Sequence, residues 1–289
     1  MLTECKKLGR CLLAGLLLSS GIGLVNVCMS DALEEFLQSR EKQGYRPAYV
    51  QSLRDVFRQF SKGREAMMVH EITPSIILDF AQRRNWAQAT WAAHLGRLSA
   101  FFTYAKRRGW CHLNPCDQIE RVRVIRKPPK VMNPDEIQLA MASGAPRFRL
   151  HLVLALIVGI RPAELRRLKK DDITKDWIRV DAAASKVAQR RIVKLDENQR
   201  AWIAWAGDAQ IPLAKIYIRR QIRKLRTALG WTAWPQDILR HTALSYQAAC
   251  GKPIHDLVLE AGTSIKMFRT HYNGLVTPEQ AEQFKEMTP

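Results

Sequence analysis

A basic stretch with two adjacent prolines is the feature that most restricts how this chain folds. Residues 121–130 read RVRVIRKPPK. Proline lacks a backbone N–H and fixes φ, so neither a helix interior nor a central strand accommodates this stretch. We therefore predict a linker at residues 121–131, between an N-terminal domain at residues 30–120 and a second domain at residues 132–289. A chain of 289 residues has the length of about two domains.

The N-terminal domain has the apolar periodicity of helices and no strand pattern. Apolar residues recur every three or four positions in residues 31–43, 49–60 and 89–107, as they do on one face of a helix. Thr73 and Pro74 supply an N-cap and a first-turn proline for another helix. These segments predict a compact helical bundle at residues 30–120.

The second domain combines helical segments with one β-hairpin. The β-rich runs at residues 177–180 and 191–195 flank residues 183–189, as strands flank the turn of a hairpin. Helices are predicted to begin at Pro134 and to cover residues 148–159, 161–170, 197–206, 214–229, 238–249, 254–260, 265–272 and 278–285. The predicted fold class is therefore mainly α with a small antiparallel β-sheet.

The charge balance indicates a polyanionic partner. The chain has 46 Lys and Arg against 27 Asp and Glu, a net charge of +19, and 47% hydrophobic residues, which excludes a disordered composition. A globular protein this basic usually meets nucleic acid, and an anionic membrane surface is the second candidate. The basic residues expected to contact a DNA backbone are Lys106, Arg107, Arg108, Arg123, Arg126 and Lys127; the alternative for each is an ordinary solvated charge.

Two further features bear on the cellular location of the protein. The six cysteines form no CxxC pair and no disulfide framework, which predicts reduced thiols in a cytoplasmic protein and no metal site. Residues 1–29 form an apolar segment of uncertain status, in which Lys6 and Lys7 precede an apolar run as in a secretory signal. The residues before Cys28 make a poor cleavage site. We favour a helix packed on the core, or a true start at Met29, over export.

Four short motifs carry the candidate chemistry. Residues 159–165 read GIRPAEL and residues 239–242 read LRHT, while Lys186 falls in the predicted hairpin and His271 precedes Tyr272 near the chain end. In this order, over about residues 31–289, they resemble the motifs of the tyrosine recombinase (phage integrase) family. The resemblance implies a two-domain clamp on DNA, with a helical core-binding domain and an α+β catalytic domain.

The resemblance also implies a site-specific recombinase that cleaves and rejoins DNA through a covalent 3′-phosphotyrosyl intermediate. Tyr272 would be the nucleophile, Arg161 and Arg240 would bind the phosphate with paired hydrogen bonds, and Lys186 would protonate the leaving 5′ oxygen. The candidate catalytic residues are Arg161, Lys186, Arg240, Tyr272, Asp237 and His241, and the supporting residues are Glu164, Thr263 and His271.

Because the phosphotyrosyl bond conserves the energy of the cleaved bond, such an enzyme consumes no ATP, and the resemblance implies no cofactor and no metal. The implied partners are double-stranded DNA, a homo-tetramer on paired DNA sites and accessory DNA-bending proteins, with no membrane. By the same resemblance, residues 278–289 dock on a neighbouring subunit. The motifs do not separate an integrase of a mobile element from a host resolvase.

The chain departs from the family pattern at two positions. Asp237 stands where the family usually has histidine, and Thr263 stands where it has histidine or tryptophan. Asp237 retains the ability to accept a proton, and Thr263 offers only a weak hydrogen bond. Both changes are expected to slow the chemistry. A catalytically impaired relative that acts as a non-enzymatic DNA-binding protein is the alternative function.

Overall fold

The structure, a computed structural model, describes residues 24–124, 128–181 and 190–289. The chain divides into two compact units, Met1–Arg126 and Lys127–Pro289. This division falls within residues 121–131, where the sequence predicts the linker. Each unit has its own hydrophobic core.

Helices make up the first unit. They are α1 (Met29–Lys42), α2 (Pro47–Ser61), α3 (Pro74–Gln82) and α4 (Gln88–Arg107). Proline begins both α2 and α3, where its missing N–H costs no intrahelical bond. The ring of Phe36 on α1 packs edge-on against Phe57 and Phe101, with centroid distances of 5.7 and 5.6 Å. The predicted helical bundle is present.

The residues that precede α1 run along the first unit. Val25 donates a backbone hydrogen bond to Gly109, and Val27 accepts one from Val69. Met29, the first residue of α1, is completely buried. Most of the apolar N-terminal segment, residues 1–23, lies outside the described residues.

Helices and one hairpin form the second unit, which confirms the predicted fold class. The helices are α5 (Pro134–Ser143), α6 (Arg149–Leu156), α7 (Pro162–Leu165), α8 (Glu197–Ala206), α9 (Lys215–Ala228), α10 (Ile238–Ala249), α11 (Ile254–Ala261), α12 (Ile265–His271) and α13 (Pro278–Glu286). Strands β1 (Trp177–Val180) and β2 (Arg191–Lys194) pair antiparallel, with Trp177 opposite Lys194 and Val180 opposite Arg191.

Helix α6 is the centre of the second core. Its residues from Leu150 to Leu156 are buried, and it packs against α8 and α10. A helix that is apolar on every side must be enclosed by neighbours, and α6 satisfies this requirement. Because α10 and the turn after α6 both carry candidate site residues, this packing fixes two parts of the candidate site.

Two predicted helices of the second unit are wrong in extent. The helix predicted at residues 148–159 ends at Leu156, because Gly159 has a φ of +85° and the chain turns there. The helix predicted at residues 161–170 is reduced to α7, followed by a 3₁₀ turn at Lys170–Asp172. Pro162 restricts the preceding residue to extended backbone, and Arg161 has φ −64° and ψ 144°. The turn therefore presents Arg161 ahead of a helix and not within one.

None of the helices in the described part of the chain is long and apolar enough to cross a membrane.

Candidate active site

A buried carboxylate lies between two arginines in the second unit. Glu164, on α7, is fully buried. Arg191, the first residue of β2, donates from Nη1 to Oε1 at 2.9 Å and from Nη2 to Oε2 at 2.6 Å. Arg161 donates from Nη1 to Oε1 at 3.1 Å. Burial alone raises the pKa of Glu164, but hydrogen bonds and charge from Arg191, together with Arg161, outweigh burial and lower it. The carboxylate is therefore ionised at neutral pH.

The C-terminal end of α11 binds three arginines through consecutive carbonyl groups. The carbonyl of Glu260 accepts from Nε of Arg191 at 2.5 Å, that of Ala261 accepts from Nη2 of Arg240 at 2.7 Å, and that of Gly262 accepts from Nη2 of Arg161. The last carbonyls of a helix have no intrahelical partner and form the negative end of its dipole. The helix terminus thus attracts and orients the guanidinium groups.

Gly262 allows this arrangement. Its φ of +59° is left-handed and ends α11, a conformation that glycine adopts without strain. A Cβ atom at this position would lie 3.2 Å from Nη1 of Arg161 and 3.4 Å from Cδ of Arg191. The site therefore needs both the conformational freedom and the small size of glycine here.

Arg240 is a buried cation on α10. It is 4% exposed, and its second nitrogen, Nη1, donates to the carbonyl of Gly159. Burial, together with the charge of Arg161, lowers the pKa of Arg240 to about 10, although interactions with Tyr272 and Glu164 oppose the shift. The guanidinium remains charged at neutral pH and is held between the turn after α6 and the end of α11.

Tyr272 follows directly after α12 and lies beside α10. The residue is 9% exposed, its ring packs on Phe268 at 5.4 Å and on His241 at 5.2 Å between centroids, and it interacts with Arg240. His271 is the next ring, 6.2 Å from His241. The structure thus brings Tyr272, Arg240 and His241 together. The carbonyls of Ala261 and Gly262 link Arg240 to Arg161, which in turn pairs with Glu164.

His241 is a neutral base beside Tyr272. Burial lowers the pKa of His241, His271 and Arg240 lower it further, and the charge of Asp237 opposes them. Among the described residues, no group hydrogen-bonds to its buried Nδ1 atom. The ring is therefore deprotonated at neutral pH and able to accept a proton.

The two residues that depart from the family pattern lie near the site. Asp237 is exposed, has a left-handed φ of +52° and makes no side-chain hydrogen bond to the start of α10. Its charge nevertheless reaches His241, one helical turn further on. Thr263 is half-buried, and its backbone N–H bonds to the carbonyl of Val258 at 3.1 Å.

The other candidate residues lie apart from this cluster or outside the described residues. Lys186, Arg126 and Lys127 fall in segments that the structure does not describe. In the first unit, Lys106 and Arg107 are exposed at the end of α4. Arg108 pairs with Glu35 at 2.7 Å and lies over the ring of Trp110. Its guanidinium is therefore partly engaged within the first unit and is less available to a DNA phosphate. Arg123 is exposed.

Arg191 is the residue that sequence reasoning missed. In a strand, residues two apart share a face, and Val193 and Leu195 are buried. Alternation along residues 191–195 therefore places Arg191 on the inward face, where a charge needs a buried partner. The alternation that places Arg191 inward is visible in the sequence, but the partner of Arg191, Glu164, lies 27 positions away along the chain.

Across the residues that the structure describes, no three His, Cys, Asp or Glu side chains gather as metal ligands would.

Comparisons with known proteins agree with this architecture. No protein-family model matches the chain. Tyrosine recombinase XerC of Roseiflexus castenholzii (strain DSM 13941 / HLO8) is 28% identical over 127 residues, which cover 40% of this chain and 40% of the relative. The match thus spans less than half the length of that relative.

Solved integrase structures share the fold. A lambda integrase dimer bound to a COC' core site superposes with a TM-score of 0.71 at 16% identity, covering 83% of this chain and 97% of the integrase chain. A lambda integrase tetramer bound to a Holliday junction gives a TM-score of 0.70 at 16% identity, covering 91% and 87%. The chain therefore has the integrase fold. With the sequence similarity to XerC, this confirms the resemblance to the tyrosine recombinase family.

Proposed function

We propose that this protein is a site-specific DNA recombinase that cleaves and rejoins strands through a covalent 3′-phosphotyrosyl bond at Tyr272. The observation that carries the proposal is the convergence of Arg161, Arg240 and Tyr272 at one site, beside the end of α11. Two guanidiniums next to a phenol suit the transition state of phosphodiester cleavage, in which negative charge grows on the phosphate oxygens.

In the proposed reaction, the hydroxyl oxygen of Tyr272 attacks the scissile phosphorus, and the bond from phosphorus to the 5′ oxygen breaks. His241, whose ring contacts that of Tyr272, takes the phenolic proton. Lys186, by its resemblance to the lysine of the family, gives a proton to the leaving 5′ oxygen. Attack by the 5′-hydroxyl of another strand reverses these steps and releases Tyr272, so no external energy source is consumed.

The proposed substrate is double-stranded DNA. The net charge of +19 suits a polyanion, and the solved integrases of the same fold are bound to DNA. Exposed Lys106, Arg107 and Arg123 would contact phosphates. A homo-tetramer acting on paired sites is part of the proposal, supported by the lambda integrase tetramer on a Holliday junction. A cytoplasmic location and accessory DNA-bending proteins stay predictions.

The test is covalent capture on a nicked suicide substrate. The purified protein first selects its binding site from a DNA library, and that site is then nicked next to the cleavage position so that religation is impossible. We expect a protein–DNA adduct that survives denaturation. Tyr272→Phe should abolish the adduct while DNA binding remains.

Tyr246→Phe is the matched control. Tyr246 is also a buried tyrosine of the second unit, on α10, and its hydroxyl has no hydrogen-bond partner among the described residues. Its removal should leave adduct formation intact. Tight binding to the selected site without any adduct would refute the recombinase and leave the non-enzymatic DNA-binding protein. An adduct that persists in Tyr272→Phe would refute the assignment of the nucleophile.

A further inference from the structure

Arg191 links three parts of the candidate site through a single side chain. Its guanidinium forms a two-pronged pair with Glu164 of α7 and a third hydrogen bond with the carbonyl of Glu260 on α11. We infer that Arg191 is a positioning residue of the recombinase, one that holds Glu164 and the end of α11 so that Arg161 and Arg240 meet the scissile phosphate. The inference rests on the proposed function.

The guanidinium of Arg191 is engaged within the protein. Its side chain is 8% exposed, whereas that of Arg161 is 18% exposed. All three of its nitrogens donate to protein oxygens. A guanidinium has five N–H donors in a rigid fork, and here the fork matches the carboxylate of Glu164. Arg191 therefore acts through its neighbours and does not touch the phosphate itself.

Arg191 also determines what Arg161 is free to do. Both oxygens of Glu164 accept from the side chain of Arg191. The side chain of Arg161 adds a longer bond, at 3.1 Å, to Oε1, and its backbone N–H donates to Oε2 at 3.2 Å. Without Arg191, Arg161 would be the remaining charged partner of a buried carboxylate. A buried charge with too few partners attracts its remaining counterion strongly. Arg161 would then turn towards Glu164 and present less of its guanidinium to a phosphate.

The end of α11 also links the position of Arg240 to that of Arg191. The carbonyls of Glu260, Ala261 and Gly262 are consecutive and bind Arg191, Arg240 and Arg161 respectively. Strand β2 packs against α11, so the bond from Arg191 fixes the helix end relative to the sheet. The side chain of Glu260 is itself held by Lys252 at 2.6 Å. A shift of this turn would displace both phosphate-binding guanidiniums together.

Arg191→Lys is the informative variant. Lysine keeps a cation beside Glu164, so the buried charge stays neutralised and the protein stays folded. A single ammonium group cannot form the two-pronged pair and the bond to Glu260 at once. We expect the single-turnover cleavage rate to fall by on the order of 100-fold, the typical effect of a slight misplacement of reacting groups, while affinity for the selected DNA site changes little.

The second readout is independent of activity. In ¹⁵N-labelled protein, the side-chain Nε–H signals of Arg161 and Arg240, assigned through Arg161→Lys and Arg240→Lys, report how firmly each guanidinium is held. Both signals should shift or broaden in Arg191→Lys. Arg179→Ala is the matched control, because it removes an exposed arginine from strand β1 of the same hairpin. That variant should leave rate and signals unchanged.

The outcomes separate the two proposals. A wild-type protein that binds its site and forms no adduct refutes the recombinase, and the positioning role is then decided by the side-chain signals alone. Unchanged signals of Arg161 and Arg240 in Arg191→Lys overturn the positioning role, whatever happens to the rate. An equal loss of rate in Arg179→Ala overturns it as well, because the effect would then belong to the sheet in general.

Discussion

Removing the charge of Glu164 should destabilise the second unit strongly. Glu164→Gln preserves the shape of the side chain, but it leaves Arg161 and Arg191 without their shared carboxylate. Glu164 is fully buried and Arg191 nearly so. Breaking a buried ion pair by removing one partner typically costs about 3–5 kcal/mol, because the other charge stays buried without compensation. We expect a loss of that size in the free energy of unfolding at neutral pH.

The effect should depend on pH in a defined direction. Burial raises the pKa of Glu164, but Arg191 and Arg161 together hold it below its ordinary value of 4.5. Since the folded-state pKa lies below the unfolded one, ionised Glu164 contributes stability that is fully present above the unfolded value. That contribution is lost as the pH falls through the folded value. The difference between wild type and Glu164→Gln should therefore shrink in acid.

Urea unfolding followed by circular dichroism, at neutral pH and at several acidic values, measures this difference. Glu282→Gln is the control, because it removes a carboxylate of the same unit from an exposed pair with Lys285. Exposed pairs contribute little, so this variant should unfold as the wild type does. The reasoning fails if Glu164→Gln is as stable as wild type at neutral pH, or if its deficit does not diminish as the pH falls below 4.5.

Three further predictions follow from the site and the basic surface. Gly262→Ala should slow cleavage and lower the free energy of unfolding by about 1–2 kcal/mol, because alanine is strained in left-handed backbone. Gly251→Ala, at φ +91° with open space around it, should also be destabilised but should keep its cleavage rate. Equal cleavage rates in the two variants would contradict the contact of Gly262 with Arg161. Arg240→Lys should reduce the cleavage rate by about 100-fold or more in the suicide-substrate assay with DNA affinity retained, and a near-normal rate would exclude Arg240 from the transition state. Replacing Lys106 and Arg107 by alanine should make the slope of log affinity against log salt concentration shallower by about two, because two phosphate contacts are lost. An unchanged slope would exclude the end of α4 from the DNA interface.

Much of the fold could be predicted because local patterns control it. The strand β1 and the helices α8 and α10 begin and end where the sequence pattern predicts, since each is bounded by a turn or a cap that acts on its own neighbours. Asp196, for example, caps α8 by accepting from the backbone of Gln199 at 2.8 Å. Such interactions span three or four residues and can be recognised in a single sequence.

The errors arise where long-range packing overrides a local pattern. Residues 161–170 have the spacing of an amphipathic helix, and Leu165 and Leu168 are indeed buried. The helix nevertheless stops after one turn, and Glu164 within that turn pairs with both Arg161 and Arg191. The pairing of Arg191 with Glu164 joins a strand to a helix across 27 positions. No local pattern specifies such a partner.

The described cluster has an excess of positive charge. Three guanidiniums, those of Arg161, Arg191 and Arg240, surround the one carboxylate of Glu164, which leaves two net positive charges in a largely buried site. The carbonyls of α11 offset part of this excess through their dipoles, but Arg161 still lowers the pKa of Arg240. A phosphate between these two arginines would relieve their repulsion, and the extra charge of the transition state would relieve it further. In the proposed reaction, the carbonyls that hold the guanidiniums without neutralising them would keep the site ready for the most negative state on the reaction path.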